Sequence, residues 1–318
     1  MMTLSKLAKL AHVSLSTASK AFSMSSEVNE ETREMIFGLA REHGCFKKFY
    51  NAKYPKLVIA VICPEFRSRY YSSLVTSIQE TLAEMDCEIC VASTDFSKEK
   101  RKDLYDYYNN YSNVDGIIVI DGGSGDLADG NVPVVTNGKS NEKTLSVSSS
   151  SSMGINLAVD YLLSKNVKDI GFIGESRTNS KLVAFEEYMN QKHINVNQDY
   201  VSVSEERMER GGYEAMKKLF ERNTVPRALI CAYDCMAIGA MKCIFDRGLK
   251  VPDDVAVIGM NNNRESEFLN PPLSSIDLCT EKIGREMSMA VINKLMGKDT
   301  ATHMNITPEL ILRKSSEM

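Results

Sequence analysis

The sequence has no apolar run approaching the roughly 18–20 residues that a membrane-spanning helix needs, which argues against a membrane-embedded chain. Its first eleven residues alternate polar and apolar side chains and lack the apolar core of a secretory signal. Export is therefore not expected, and the cytoplasm is the expected location. Catalytic signatures are missing too. There is no G-x-S-x-G nucleophile turn, no G-x-x-x-x-G-K-[ST] phosphate loop and no H-E-x-x-H zinc helix. Gly122-Gly123-Ser124-Gly125 lacks dinucleotide-loop spacing and reads as a plain loop, and His12, His43, His193 and His303 are scattered. Neither an enzyme nor a cofactor is expected. Among the eight cysteines the one C-x-x-C pair is Cys87 and Cys90, on a strand whose side chains three apart face opposite ways, with no second such pair after them. A metal site is not expected either; the cysteines read as reduced core residues.

What is present suits a globular protein. With 318 residues, 43% hydrophobic and 25% charged, the chain can bury a sizeable core and form two or three compact units. Charge is divided unevenly. Residues 1–56 hold nine basic and five acidic side chains, a net +4, whereas the remainder carries −8. A basic head on an acidic body suggests a polyanionic partner for the head alone.

The head reads as three short helices. Leu4, Leu7, Ala8 and Ala11 repeat at the spacing of one buried helical face. Ser14 is placed to cap a second helix carrying Leu15, Ala18 and Phe22 on one side, and Asn29 to cap a third that buries Thr32, Met35, Ile36 and Leu39 and stops near Gly44. Only His12 to Ser14 separate the first two helices, the short connection of a helix-turn-helix whose second helix enters the DNA major groove. The open face of that helix is small and hydroxylated (Ser16, Thr17, Ser19, Lys20, Ser23), which permits close approach to phosphates and base edges.

From residue 57 the pattern changes. The run 57–63 (LVIAVIC) is continuously apolar, as in a parallel strand covered on both faces. Helices expected at 71–85, 98–111, 153–165, 179–191, 210–221 and 234–247 then alternate with strands expected at 87–92, 116–120, 132–136, 170–173, 201–203, 228–231 and 255–260. The fold class is α/β, a doubly wound pattern appearing twice, which implies two lobes with a cleft between them.

The residues of the head, Thr3 to Phe22 (TLSKLAKLAHVSLSTASKAF) followed by Val28-Asn29-Glu30-Glu31-Thr32-Arg33, closely resemble the DNA-binding head of the LacI/GalR repressor family. The body follows the family in order: DGII from Asp115, IGFIG from Ile170, DCMAIGAM from Asp234, VPDDVAVIG from Val251 and PPLSSI from Pro271. The resemblance implies a head over 1–56 and a periplasmic-binding-protein-like effector-sensing and dimerisation core over 57–318. Lobe one would span 57–155 and 279–302, and lobe two 156–278 and 303–318. It further implies a sequence-specific repressor, a homodimer on a double-stranded operator, with affinity set by a small molecule of unknown identity. The chain ends soon after 306–312 without a heptad helix, which favours a dimer over a tetramer. A stand-alone solute-binding protein is the alternative, disfavoured by the basic head. Position by position, Leu15 and Ser16 fall where the family chooses bases, Lys20 takes the place of an arginine, and Thr3, Ser14, Thr17 and Ser19 match positions that hold phosphates or the groove edge.

Three departures stand out. The family's turn glycine is His12, so a non-glycine residue must take a left-handed backbone at about 1 kcal/mol. The hinge, residues 45–56, is about three residues short and lacks the family's pattern. Lys47, Lys48 and Lys53 can neutralise phosphates there, and Phe49, Tyr50 or Tyr54 either wedges the minor groove or belongs to a plain basic linker. Finally, the family's sugar-gripping positions carry Ser149, Lys181, Tyr233 (with Asp234 after it) and Asn261. Serine and asparagine cannot grip vicinal hydroxyls as carboxylates do. An ordinary neutral hexose is therefore not expected. A phosphorylated or carboxylated molecule near Lys181, loss of small-molecule sensing, and control by a protein partner all remain open.

Overall fold

A computed structural model describes residues 2–50, 56–120, 127, 131–138, 145–298 and 301–318. The chain divides into two compact units, Met1–Lys56 and Leu57–Met318.

The first unit contains α1 (Leu4–Leu10), α2 (Leu15–Phe22), α3 (Glu30–Glu42) and a single turn, α4 (Phe46–Phe49). Each of the first three starts at a hydroxyl or amide that accepts one of its otherwise unpaired backbone N–H groups. Thr3 Oγ1 accepts from Lys6 N at 3.3 Å, Ser14 Oγ from Thr17 N at 2.9 Å and Asn29 Oδ1 from Thr32 N at 2.8 Å. The turn after α1 closes with His12 N donating to Lys9 O and Val13 N to Ala8 O, and His12 takes a φ of 53°, the left-handed conformation its position demands. Replacing His12 with glycine removes the Cβ clash, partly offset by glycine's greater freedom when unfolded. The head's denaturant-unfolding free energy is expected to rise by a few tenths to about 1 kcal/mol.

Leu7, Ala11, Ala21, Phe22, Val28, Ile36, Phe37 and Ala40 form the core of the head. Met35, expected inside, is 45% exposed, and Leu15, on the same side of its helix as Ala18 and Phe22, is 53% exposed. Leu15 is the first residue of α2, one turn beyond the contact that Ala18 and Phe22 make. The inward face of α3 is turned by Phe37, whose ring lies 5.3 Å from Phe22 and 4.9 Å from Phe46. Gly44, at φ 62°, ends that helix. The same aromatic cluster corrects the wedge expectation for two residues: Phe49 packs 5.7 Å from Phe22, and Tyr50 stacks 4.9 Å from Phe46, so both belong to the head's packing. Lys53 and Tyr54 lie outside the described residues, as does the loop Gly122 to Gly125.

The second unit holds two six-stranded sheets. The first consists of β1 (Leu57–Cys63), β2 (Cys87–Ser93), β3 (Gly116–Val119), β4 (Val134–Thr136), β5 (Leu145–Ser149) and β11 (His303–Ile306), in the order β11-β5-β4-β3-β1-β2 and all parallel. Helices α5 (Arg69–Glu84), α6 (Lys98–Asn110) and α11 (Thr280–Leu295) belong to this lobe. The second sheet consists of β6 (Ile170–Glu175), β7 (Val201–Ser204), β8 (Ala228–Cys231), β9 (Ala256–Met260), β10 (Ser274–Asp277) and β12 (Glu309–Ile311), in the order β12-β10-β9-β8-β6-β7. All its pairings are parallel except that of β12 with β10. Helices α7 (Ser151–Ser164), α8 (Asn179–Gln191), α9 (Met208–Glu221) and α10 (Asp234–Asp246) belong here. The fully buried runs IIV of β3 and LIC of β8 are what a sheet covered on both faces demands.

Two lobe boundaries differ from expectation. The chain leaves the first lobe between Ser149 and Ser151, not near 155, because α7 buries Ile155, Ala158 and Leu162 in the second lobe's core. It returns to the second lobe only after β11, since residues 303–306 pair with β5 of the first sheet.

Candidate functional site

Each unit presents one candidate site. On the head, the capped turn presents α2 with its first residues outward: Ser14, Leu15, Ser16 and Ser19 are exposed, while Thr17 and Lys20 are half-buried. Ser14 Oγ also pairs with Thr17 Oγ1 at 2.8 Å, so these two hydroxyls are pre-oriented by each other. Lys20 is not free-standing: its ammonium meets the Glu27 carboxylate. That pair is solvent-exposed and therefore weak, and a base edge or phosphate can take its place. Thr3 is exposed at the start of α1, and Lys47 and Lys48 lie on α4. Arg33, inherited from the sequence pattern without a role, proves structural: its Nη2 donates to Ser25 O and Val28 O at 2.8 Å and fixes the loop between α2 and α3.

In the core, Ser149, Lys181, Tyr233 and Asn261 line one cavity of about 240 Å³. The elements that bring them there are the ends of β5 and β9, the first turn of α8 and the residue preceding α10. Such strand ends are where open α/β sheets bind ligands. Lys181 Nζ donates to Ala232 O at 2.8 Å, and burial holds its pKa down at about 8 against the pull of Asp234 and Glu175. The Tyr233 hydroxyl accepts from Met208 N at 3.0 Å. Asn261, at φ 102°, donates its backbone N–H to Ile276 O. The Ser149 hydroxyl has no hydrogen-bond partner among the described residues.

Asp234 does not join them. It is fully buried beside Gly259, the strand glycine that leaves room for its carboxylate; a Cβ there would sit 2.1 Å from Asp234 Oδ1. Its oxygens accept from Ser275 Oγ at 2.6 Å, Asn263 N at 2.6 Å and Ser266 Oγ at 3.0 Å. Asp234 thus holds the loop that carries Asn261, a positioning role. Burial raises its pKa to about 7 despite those hydrogen bonds. A carboxyl with a raised folded-state pKa favours the protonated fold, so this contribution to stability is full below about pH 4 and is lost as pH rises through 7. In Asp234→Asn, the decline in core stability between pH 4 and 7 is expected to flatten, as measured by denaturant melts at each pH.

Several residues that sequence reasoning passed over meet at the same cavity. Glu65, just after β1, takes Arg207, just after β7, in a two-point ion pair of 2.7 and 3.0 Å across the lobes. Buried Glu175, at the end of β6, stands 3.5 Å from Arg207 Nε. Phe96, beyond β2, lies under two guanidinium groups, Arg177 at 4.0 Å and Arg207 at 5.3 Å. The available signal was their position after strand ends; the pairing of Arg207 with Glu65, 142 residues away, and of Phe96 with arginines of the other lobe was not readable. A larger depression of about 770 Å³ borders α5, the loop after β9 and the start of α11, but its lining mixes Arg69, Arg264 and Arg313 with Glu80, Glu265, Glu267 and Glu281. Arg69 and Glu265 already pair at 2.7 Å, so the smaller cavity is the better-formed candidate. No described helix is long and apolar enough to cross a membrane.

Known proteins with the same layout bear on both sites. The profile of the periplasmic binding protein-like domain matches residues 159–316. The HTH-type transcriptional repressor PurR of Histophilus somni strain 129Pt is 28% identical over 332 residues, covering 99% of both chains. The HTH-type transcriptional regulator RegA of Clostridium saccharobutylicum is 25% identical over 333 residues, covering 98% of both. Among solved structures, the Lac repressor dimer bound to operator and the anti-inducer ONPF aligns over 99% of both chains with a TM-score of 0.74 at 21% identity. The regulator CelR in its cellobiose complex aligns over 99% of this chain and 100% of its own, with a TM-score of 0.70 at 24% identity. These likenesses extend over both head and core, and the chain is similar along nearly its whole length to helix-turn-helix transcriptional regulators of the LacI type.

Proposed function

We infer that this chain is an operator-binding transcriptional repressor, acting as a homodimer, whose hold on DNA is modulated by a small molecule in the cleft between the two lobes of its core. The observation that carries the reading is α2: a helix started by a side-chain cap after a tight turn, exposing Leu15, Ser16 and Ser19 on a head of net positive charge. Within that reading Leu15 and Ser16 choose bases, Lys20 donates to a guanine after leaving Glu27, and Thr3, Ser14, Thr17, Ser19, Lys47, Lys48 and Lys53 position the phosphates. Ser149, Lys181, Tyr233 and Asn261 contact the effector, and Asp234 supports Asn261. The role is non-catalytic.

Selection of bound duplexes from a random-sequence pool tests it. The expected product is a palindrome of two half-sites about one helical turn apart, matching a two-fold dimer. Enrichment without a shared motif, or with a single asymmetric site, contradicts the reading.

A further inference from the structure

One cation of the cleft has no carboxylate in contact with it among the described residues. Three cationic side chains line it, Arg177, Lys181 and Arg207. Arg207 is matched by Glu65 in two-point contact and by Glu175 at its back. Lys181 donates a hydrogen bond to the Ala232 carbonyl and sits in the field of Glu175 and Asp234. Asp234 in turn is held by its own three donors and by the field of Arg313. Arg177 alone has no carboxylate within 4.0 Å among the described residues. Its backbone N–H reaches Glu175, but its exposed guanidinium rests on the Phe96 ring.

The chain goes to some trouble to place that ring. Asp95 and Phe96 both have left-handed backbones, φ 52° and 60°, an unfavourable conformation for a bulky side chain. The pair is pinned by Asp95 N donating to Pro64 O at 2.8 Å. Strain of this sort concentrates where a ligand clamp needs a fixed geometry. Phe96 comes from the first lobe and Arg177 from the second, so the stacked guanidinium is presented at the seam of the cleft, in the cavity that the unpartnered Ser149 also lines.

We propose that the effector carries one anionic oxygen group, a phosphate or carboxylate, that seats on Arg177, with Phe96 as the rigid platform that aims the guanidinium. This deepens the cleft reading given above and rests on it. Lys181, the anion contact suggested by sequence, already donates one hydrogen bond to Ala232 O, and Arg207 is the clasp between the lobes. A planar guanidinium with free N–H donors takes an oxyanion in two parallel hydrogen bonds, a geometry no lysine reproduces.

Calorimetric titration of the full-length protein with glucose 6-phosphate, gluconate, inorganic phosphate and glucose, at millimolar concentration, tests the proposal. Binding of at least one anion and none of glucose is expected, with a loss of tenfold or more in Arg177→Leu and partial recovery in Arg177→Lys. Binding of inorganic phosphate alone assigns the site to the free ion, and binding of a sugar derivative alone assigns it to an organic anion; both support an oxyanion site at Arg177. Equal binding of glucose, full retention in Arg177→Leu, or silence from every anion overturns it. A cavity-filling Ser149→Phe variant separates this failure from failure of the cleft reading. If it shifts affinity for the selected duplex while no anion binds, the cleft still governs DNA binding; if it shifts nothing, the cleft reading falls as well.

Discussion

Aspartate at Ser16 is expected to leave the head folded and to cost the chain at least about a hundredfold in affinity for its selected duplex. Ser16 is exposed, in the first turn of α2, where a carboxylate interacts favourably with the helix dipole by about 0.3–1 kcal/mol. Folding is therefore undisturbed or slightly favoured. On DNA the same carboxylate faces base edges and a dense row of phosphates. The lost base contact alone is worth about 1–3 kcal/mol, and repulsion from the phosphates adds to it. Fluorescence anisotropy gives the affinity, and circular dichroism melting gives the fold. An unchanged affinity with an intact head would remove α2 from the interface.

The largest effect on stability is expected at Gly239. Helices α9 and α10 meet backbone to backbone through a reciprocal pair of glycines. A Cβ on Gly239 would lie 1.8 Å from Glu209 O, and one on Gly212 would lie 1.9 Å from Met236 O. Neither neighbour is the end of a flexible side chain that can swing away. Overpacking in a core usually costs about 1–3 kcal/mol, and a clash with a helix backbone lies at or above the top of that range. Gly239→Val is expected to prevent the core from folding and Gly239→Ala to destabilise it by about 3 kcal/mol or more. Because the head is a separate unit, its own transition should persist. A core that melts normally with valine at 239 would show that the two helices do not approach as described.

Much of this fold was legible because its determinants are local. Caps at Ser14 and Asn29, the left-handed demand at His12 and the apolar runs of β1 and β3 are each written within a few residues. Strand β5 was hidden by its composition: Leu-Ser-Val-Ser-Ser reads as a serine-rich loop, yet Leu145, Ser146 and Val147 are buried and the Ser146 hydroxyl finds Gly138 O. The exchange of 303–306 into the first sheet was equally silent, since a short strand with three exposed residues gives no hint of its partner.

The cleft was legible only in part, for a similar reason. Position within the family's pattern brought Ser149, Lys181, Tyr233 and Asn261 together, but identity could not say what each does there. Lys181, read as an anion receptor, also donates to a carbonyl while lining the cavity; Asp234 looked like a contact and is buried support for a loop. The Glu65–Arg207 clasp joins residues 142 apart, and Phe96 acquires meaning only from two arginines on the other lobe. Charge pairs of that kind leave no periodicity for a sequence reading to find.

The affinity of the full-length chain for its selected duplex at 50 and 200 mM salt, beside that of a chain lacking residues 1–56, is the most direct measurement. A head that grips six or more phosphates should release its DNA by about a thousandfold or more over that range, and the shortened chain should not bind at all. Affinity that ignores salt, or survives loss of the head, would contradict the account.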